Sequence, residues 1–157
     1  MDKEFIKYYN LYKDDILRLA LSYTKRINDA EDIMQNVFVK LYKNMNNIEE
    51  EKVKKWCIKV TVNECRDFFK SFWIKNIFVK DDILSNICKN DEIANLKEEL
   101  FDLPTKYRVV IYLYYYEGYK VNEIADILKE KTSTIQTRLR RGKQKLKEFL
   151  KEEKNEK

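Results

Sequence analysis

Ser133, Gln136, Thr137, Arg140, Arg141 and Lys147 fall on one arc if the segment that follows Lys131 is helical, at about 100° per residue. Hydroxyl, amide and guanidinium groups grouped in this way can hydrogen-bond the edges of base pairs in a major groove, and a guanidinium can take two acceptors of one guanine at once. Ile135, Leu139, Gly142, Leu146, Phe149 and Leu150 fall on the opposite arc and form a packing face. A second set lies upstream. Lys55, Lys59, Asn63, Arg66 and Lys70 come within about 80° of one another on a helix spanning about Val53 to Lys70. Cys57, Ile58, Thr61, Val62, Cys65, Phe68 and Phe69 occupy the other arc. Cations at that spacing suit backbone phosphates. Trp56, at the margin of the stripe, offers a flat ring to an unstacked base or packs into the core, as Trp usually does. The plain alternative for the arginine-bearing helix is an ordinary surface helix with solvated charges.

Other chemistries have no residues to run on. The chain contains no histidine, which removes His-based acid–base catalysis, Ser-His triads and most zinc sites. Cys57, Cys65 and Cys88 form no CxxC pair, so reduced, mostly buried thiols are expected rather than a metal or disulfide site. There is no glycine-rich phosphate loop and no acid–base pair or metal cluster. The chain reads as a binding protein, not an enzyme, with no cofactor.

The 32 basic and 27 acidic residues are unevenly placed: residues 1–80 carry a net charge of +4, residues 81–103 of −5 and residues 104–157 of +6. Two basic segments flanking an acidic one suit a polyanion touched at two places. No apolar run approaches the roughly 20 residues of a membrane span, and the first residues lack the apolar core of a signal peptide. No membrane insertion and a cytoplasmic location are expected.

Two glycines and one proline in 157 residues disfavour turn-rich β architecture, and abundant Lys, Glu, Leu and Ile favour helices. Residues 3–25 read as a helix with Tyr9, Tyr12, Ile16, Leu19 and Tyr23 near one face. Asn28 is placed to cap the next helix, with Glu31 completing a capping box. Ile33, Val37, Leu41 and Met45 make its seam, widened by Phe38 and Tyr42. NNIEEE breaks the pattern. SFWIKNIFVKDD is a loop or a short fourth helix, whose Phe72, Trp73 and Phe78 face nucleic acid or close the core. Pro104 suits a helix first turn. Tyr107, Val110, Ile111, Tyr114 and Tyr115 form an apolar face, and Gly118 can end that helix in a left-handed cap. The tyrosines from Tyr112 to Tyr116 read as core packing, with a stacking platform as the alternative. Ile124, Ala125 and Leu128 mark one more helix, and Thr132 or Ser133 can cap the arginine-bearing one.

Taken together, three stretches resemble an alternative sigma factor of bacterial RNA polymerase, of the short two-domain extracytoplasmic-function (ECF) group in the sigma-70 family. DAEDIMQNVFVKLYKN at 29–44 resembles the helix that docks on the β′ clamp. WCIKVTVNECRDFFKS at 56–71 resembles the segment that opens the −10 element. LPTKYRVVIYLYYYEGYKVNEIADIL with TSTIQTRLRRGKQKL resembles the −35-binding domain. The resemblance implies an all-α fold with two small helical domains joined by an acidic linker: an N-terminal bundle at 1–80, a linker at 81–99 and a helix-turn-helix domain at 100–157. It implies polymerase contacts by Asp32, Gln35 and Asn36. It implies −10 contacts by Lys55, Trp56, Lys59, Asn63, Arg66, Asp67 and Lys70, and −35 contacts by Ser133, Thr134, Gln136, Thr137, Arg138, Arg140 and Arg141. The implied partners are core RNA polymerase (β′ clamp and β subunits), promoter DNA and an anti-sigma factor.

The chain departs from the family pattern at Lys129 and Glu130, where a Gly and an apolar residue commonly stand, and at Lys120, where a hydroxyl cap is usual. An aromatic or small residue often stands at the position of Arg140, so this chain's −35 preference is expected to be its own. The rival reading is a stand-alone helix-turn-helix transcriptional regulator binding a palindrome as a dimer. Such a protein has no use for residues 29–71.

Overall fold

The computed structural model describes residues 2–75 and 98–155. Every regular element among them is helical, and the chain divides into two compact units, Met1–Ala94 and Asn95–Lys157. The segment expected as a linker lies outside the described residues except for Glu98 and Glu99, which open a 3-10 turn, Glu98–Asp102. Phe78, Lys80 and Cys88 also lie outside them.

In the first unit α1 (Lys3–Thr24), α2 (Ile27–Asn44) and α3 (Val53–Lys75) pack against one another in all three pairings. Asp2 caps α1 by accepting the N–H of Glu4 at 3.0 Å. Ile16, Leu19 and Ala20 of α1, Val37 and Leu41 of α2, and Val53, Cys57, Ile58, Val62 and Cys65 of α3 are fully buried. Each large aliphatic side chain removed from water in this way contributes about 1.5–3 kcal/mol.

The helical seams expected for α2 and α3 recur in this core, but two local expectations fail. Asn28 does not cap α2. Only Lys25 and Arg26 separate α1 from α2, and Lys25 reverses the chain in the left-handed region (φ 62°), so Asn28 is already inside the first turn. The Thr24 hydroxyl holds Arg26 instead, donating to its carbonyl at 3.1 Å and accepting its N–H at 3.3 Å. Tyr42 is 53% exposed rather than part of the seam, its ring meeting Phe5 edge-on at 5.3 Å. The helix α3 runs past Lys70 through Lys75 because no glycine or proline stops it. NNIEEE folds into two 3-10 turns, Met45–Asn47 and Glu50–Lys52.

In the second unit α4 (Thr105–Ile111) follows Pro104, whose carbonyl accepts from Tyr107 and Arg108. The helix then widens into a π turn, Tyr112–Tyr116. Gly118 ends it at φ 75°, and Tyr119 N–H reaches back to Leu113 O at 3.0 Å. Then come α5 (Val121–Leu128) and α6 (Thr132–Asn155), and α6 packs on both α4 and α5. Ile124, Leu128 and Ile135 fill the angle between α5 and α6.

Arg108 is fully buried. It donates to Leu103 O at 2.7 Å and Thr105 Oγ1 at 3.0 Å, fastening the entering chain to α4. Burial alone pulls its pKa down to about 10.

Candidate nucleic-acid interface

In the second unit, α5 and α6 form two helices joined by a tight break. Lys129 sits in the left-handed region at φ 56°. Its N–H reaches Asp126 O at 3.3 Å, and Glu130 N–H reaches Ala125 O at 3.0 Å. These are the two bonds of a Schellman motif, built on Lys where glycine is favoured. At the start of α5, Lys120 provides no side-chain acceptor, and Glu123 Oε1 takes the Lys120 N–H at 3.0 Å, half of a capping box. Neither Thr132 nor Ser133 caps α6. The helix already includes Thr132, and the Lys131 carbonyl accepts from Thr134 and Ile135.

Along α6, Ile135, Leu139 and Gly142 are buried. Ser133, Gln136, Arg140 and Arg141 are exposed, and Thr134 and Thr137 are half-buried. Arg138 stands at the edge of this face, about 60° around the helix from Arg141. It is half-buried, with Nη2 3.6 Å from Glu130 Oε1, and lies about 160° around the helix from Arg140. Its cation ties α6 to the break. Arg138 also helps line a surface groove with Lys106, Tyr107, Thr137 and Arg141. Lys106 and Tyr107 belong to α4, so no periodicity within α6 could have found them.

The tyrosine cluster divides. Tyr112 is fully buried, as a core residue would be, but Tyr115 is 53% exposed and Tyr116 37%. The π turn bears on Tyr115: an i→i+5 turn holds one extra residue, so a fixed 3.6-residue period no longer places that ring, whereas Tyr116 lies about 180° from Tyr107 by the regular period and is outward in any case.

In the first unit, Asn63, Asp67 and Lys70 are exposed on α3, with Lys55, Lys59 and Arg66 half-buried beside them. Trp56 is half-buried and opens on a shallow recess of about 360 Å³, lined also by Asn44, Asn47, Ile48, Glu49 and Lys52. These five residues come from the end of α2 and the 3-10 turns. In sequence Asn47, Ile48 and Glu49 were only part of a helix breaker. On α2, Asp32, Gln35 and Asn36 are exposed and share their face with Val39, itself 52% exposed. Lys40 on the flank of this face pairs with Glu64 of α3, joining the α2 surface to the α3 surface.

Cys57 and Cys65 are buried free thiols. Burial raises the Cys57 thiol to about 12 and raises Cys65 as well. Among the described residues no acidic or thiol cluster could hold a metal, and no helix is long and apolar enough to cross a membrane.

Comparison with known proteins matches residues 8–73 to Sigma-70 region 2 and residues 93–146 to Sigma-70, region 4. The RNA polymerase sigma factor SigV of Bacillus subtilis (strain 168) is 36% identical over 137 residues, which is 83% of this chain and 81% of that one. The ECF RNA polymerase sigma factor SigM of the same organism is 28% identical over 148 residues, 88% of this chain and 90% of that one. Among solved structures, the sigma factor RpoE bound to the anti-sigma factor NepR, from Bartonella quintana, superposes with a TM-score of 0.77 at 21% identity. That match covers 96% of this chain and 98% of RpoE. CnrH, in complex with the cytosolic domain of CnrY, gives 0.66 at 22% identity, covering 94% and 87%.

Proposed function

This chain belongs to the sigma-70 family, in its ECF group, and from that premise we propose how its two units share the work of a sigma factor that binds core RNA polymerase and directs promoter-specific initiation. The bond-making chemistry is the polymerase's; the chain supplies recognition. The observation that carries the division of labour is the pairing of two separately folded helical units, each with one polar, cation-bearing helix face, in the order region 2 then region 4.

The exposed α2 face of Asp32, Gln35 and Asn36, with Val39 at its apolar centre, docks on the β′ clamp. The α3 face takes the −10 strand. Opening a duplex costs about 1–2 kcal/mol per stacked step, and capture of an unstacked base on an aromatic or apolar surface returns about 1–3 kcal/mol. The recess beside Trp56 has room for an unstacked base, and Lys59, Asn63, Arg66 and Lys70 lie further along α3 to hold the strand. On α6, Arg140 and Arg141 take base edges of the −35 element, about 1–3 kcal/mol of discrimination for each bidentate pair. Ser133, Gln136 and Thr137 complete that face. Residues 1–80, 81–99 and 100–157 then serve as polymerase and −10 module, connector and −35 module. The protein works in the cytoplasm with its polymerase, and an anti-sigma factor restrains it, as the structurally similar sigma factor RpoE is seen bound to the anti-sigma factor NepR.

The test is run-off transcription from a promoter library with purified core polymerase. Defined start sites sharing −10 and −35 elements are expected when the chain is added. Failure to associate with core polymerase, with tight binding of the chain alone to a palindromic duplex, would establish the stand-alone regulator instead.

A further inference from the structure

The side of α6 away from Arg138 carries a feature that base reading uses only in part. Gln136, Leu139, Arg140, Lys143, Gln144 and Lys147 line a groove that continues from the base-reading arc toward the end of the helix. None of its lining side chains is a carboxylate. Glu148 stands at its edge and accepts from Gln144 at 3.4 Å. Lys143 is not a freely waving surface lysine. Its ammonium lies 5.6 Å from the Tyr114 ring centroid and 5.3 Å from that of Tyr115. The two rings meet edge to face at 4.9 Å. Hydrogen bonding to Tyr115 raises the Lys143 pKa, with desolvation opposing it and charge interactions with Tyr115 and Tyr114 adding to it. The π turn sets Tyr115 there, exposed, beside α6.

Lys147 follows one helical turn after Lys143, on the same side as Arg140 to within about 20°. An exposed cation held by aromatic rings loses less side-chain freedom when it binds an anion. The groove is continuous with the face that meets duplex DNA, and its charge complements a phosphate backbone.

We propose that Lys143, positioned by Tyr115, and Lys147 hold backbone phosphates of the strand bordering the −35 element, an interaction that adds affinity without reading sequence. This rests on α6 being the duplex-reading helix.

The test assembles core polymerase with the wild-type chain, with Lys143→Ala/Lys147→Ala and with Lys143→Arg/Lys147→Arg, and titrates each onto one promoter fragment between about 50 and 200 mM salt, the range over which phosphate neutralisation dominates. The alanine variant should bind more weakly at low salt. Its plot of log affinity against log salt should be shallower by about 1.8, roughly 0.9 for each phosphate left without its lysine. Its base preference across a −35 library should stay that of the wild type, and the arginine variant should keep the wild-type slope. Tyr115→Phe should give a smaller loss of the same kind. An unchanged slope in the alanine variant overturns the proposal. So does weakened assembly with core polymerase at unchanged DNA affinity, which would put a protein on this face. Loss of start-site selectivity by the wild-type chain itself would instead overturn the sigma-factor reading, so the two failures are separable.

Discussion

A Cβ added to Gly142 would lie 2.6 Å from Ile111 Cδ1 and 3.3 Å from Tyr107 Cβ, so α6 crosses α4 closely enough that a larger residue there must displace the end of the Ile111 side chain. This glycine is buried in the middle of the longest helix of the second unit, where it costs about 1 kcal/mol in helix propensity relative to alanine. Packing offsets that cost, because the small residue lets α6 lie close against Ile111 and Tyr107.

Gly142→Ala should therefore destabilise the second unit despite the gain in propensity. Overpacking of this kind costs about 1–3 kcal/mol. The nearest atom, Ile111 Cδ1, is the one that Ile111→Val removes. The double variant should recover part of the loss, although Ile→Val alone costs about 0.5–1.5 kcal/mol. Thermal unfolding of the four proteins of the cycle reads the coupling directly. Strict additivity would remove the Gly142–Ile111 approach from the explanation.

Alkaline pH should weaken the first unit. Cys57 has a folded pKa of about 12 against an ordinary value of 9.0, and Cys65 is shifted in the same direction. Both thiols stay protonated when folded and ionise when unfolded. Their contribution is whole below pH 9 and is lost as pH rises toward the folded values, at about 1.4 kcal/mol per pH unit for each thiol. Cys57→Ala should lower stability at pH 7 but flatten its decline between pH 9 and 10.5. Parallel declines in variant and wild type would assign the effect to other groups.

Asn63→Ala should impair strand opening, read as reduced permanganate reactivity of −10 thymines, with core polymerase association unchanged. Trp56→Ala should do the same and Trp56→Phe less so, since a smaller ring still covers the recess. If neither Trp56 variant alters −10 preference or opening, the recess is not a base site.

Arg141 and Arg138 should separate. Arg141→Ala should relax −35 selectivity by about 1–3 kcal/mol, or roughly 5- to 150-fold, and leave polymerase binding intact. Arg138→Ala should chiefly loosen the α5–α6 break by removing the partner of Glu130. Glu130→Gln should mimic it through a modest loss of thermal stability, since a half-exposed pair of this kind contributes at most about 1 kcal/mol. An Arg138→Ala variant with unchanged melting and no remaining base selectivity would return Arg138 to the reading face.

Much of this protein was legible along the chain. Ile33, Val37 and Leu41 repeat at helical spacing, as do Ile58, Val62 and Cys65, and all are buried in the first unit. The outward Ser133, Gln136 and Arg140 could be read from the same period. Such patterns are properties of a single helix and require only knowledge of which residues avoid water. What depended on residues far apart was decided by the tertiary structure. Trp56 found its recess because the turns at 45–52 fold back beside it. Lys106 joined Arg141 because α4 packs on α6, and Arg138 turned to Glu130 across the break. The widened turn after Tyr112 rotated Tyr115 out of the core and against Lys143, a displacement that no fixed 3.6-residue period contains. Periodicity set which side of each helix meets water; only packing between helices decided which exposed groups stand together.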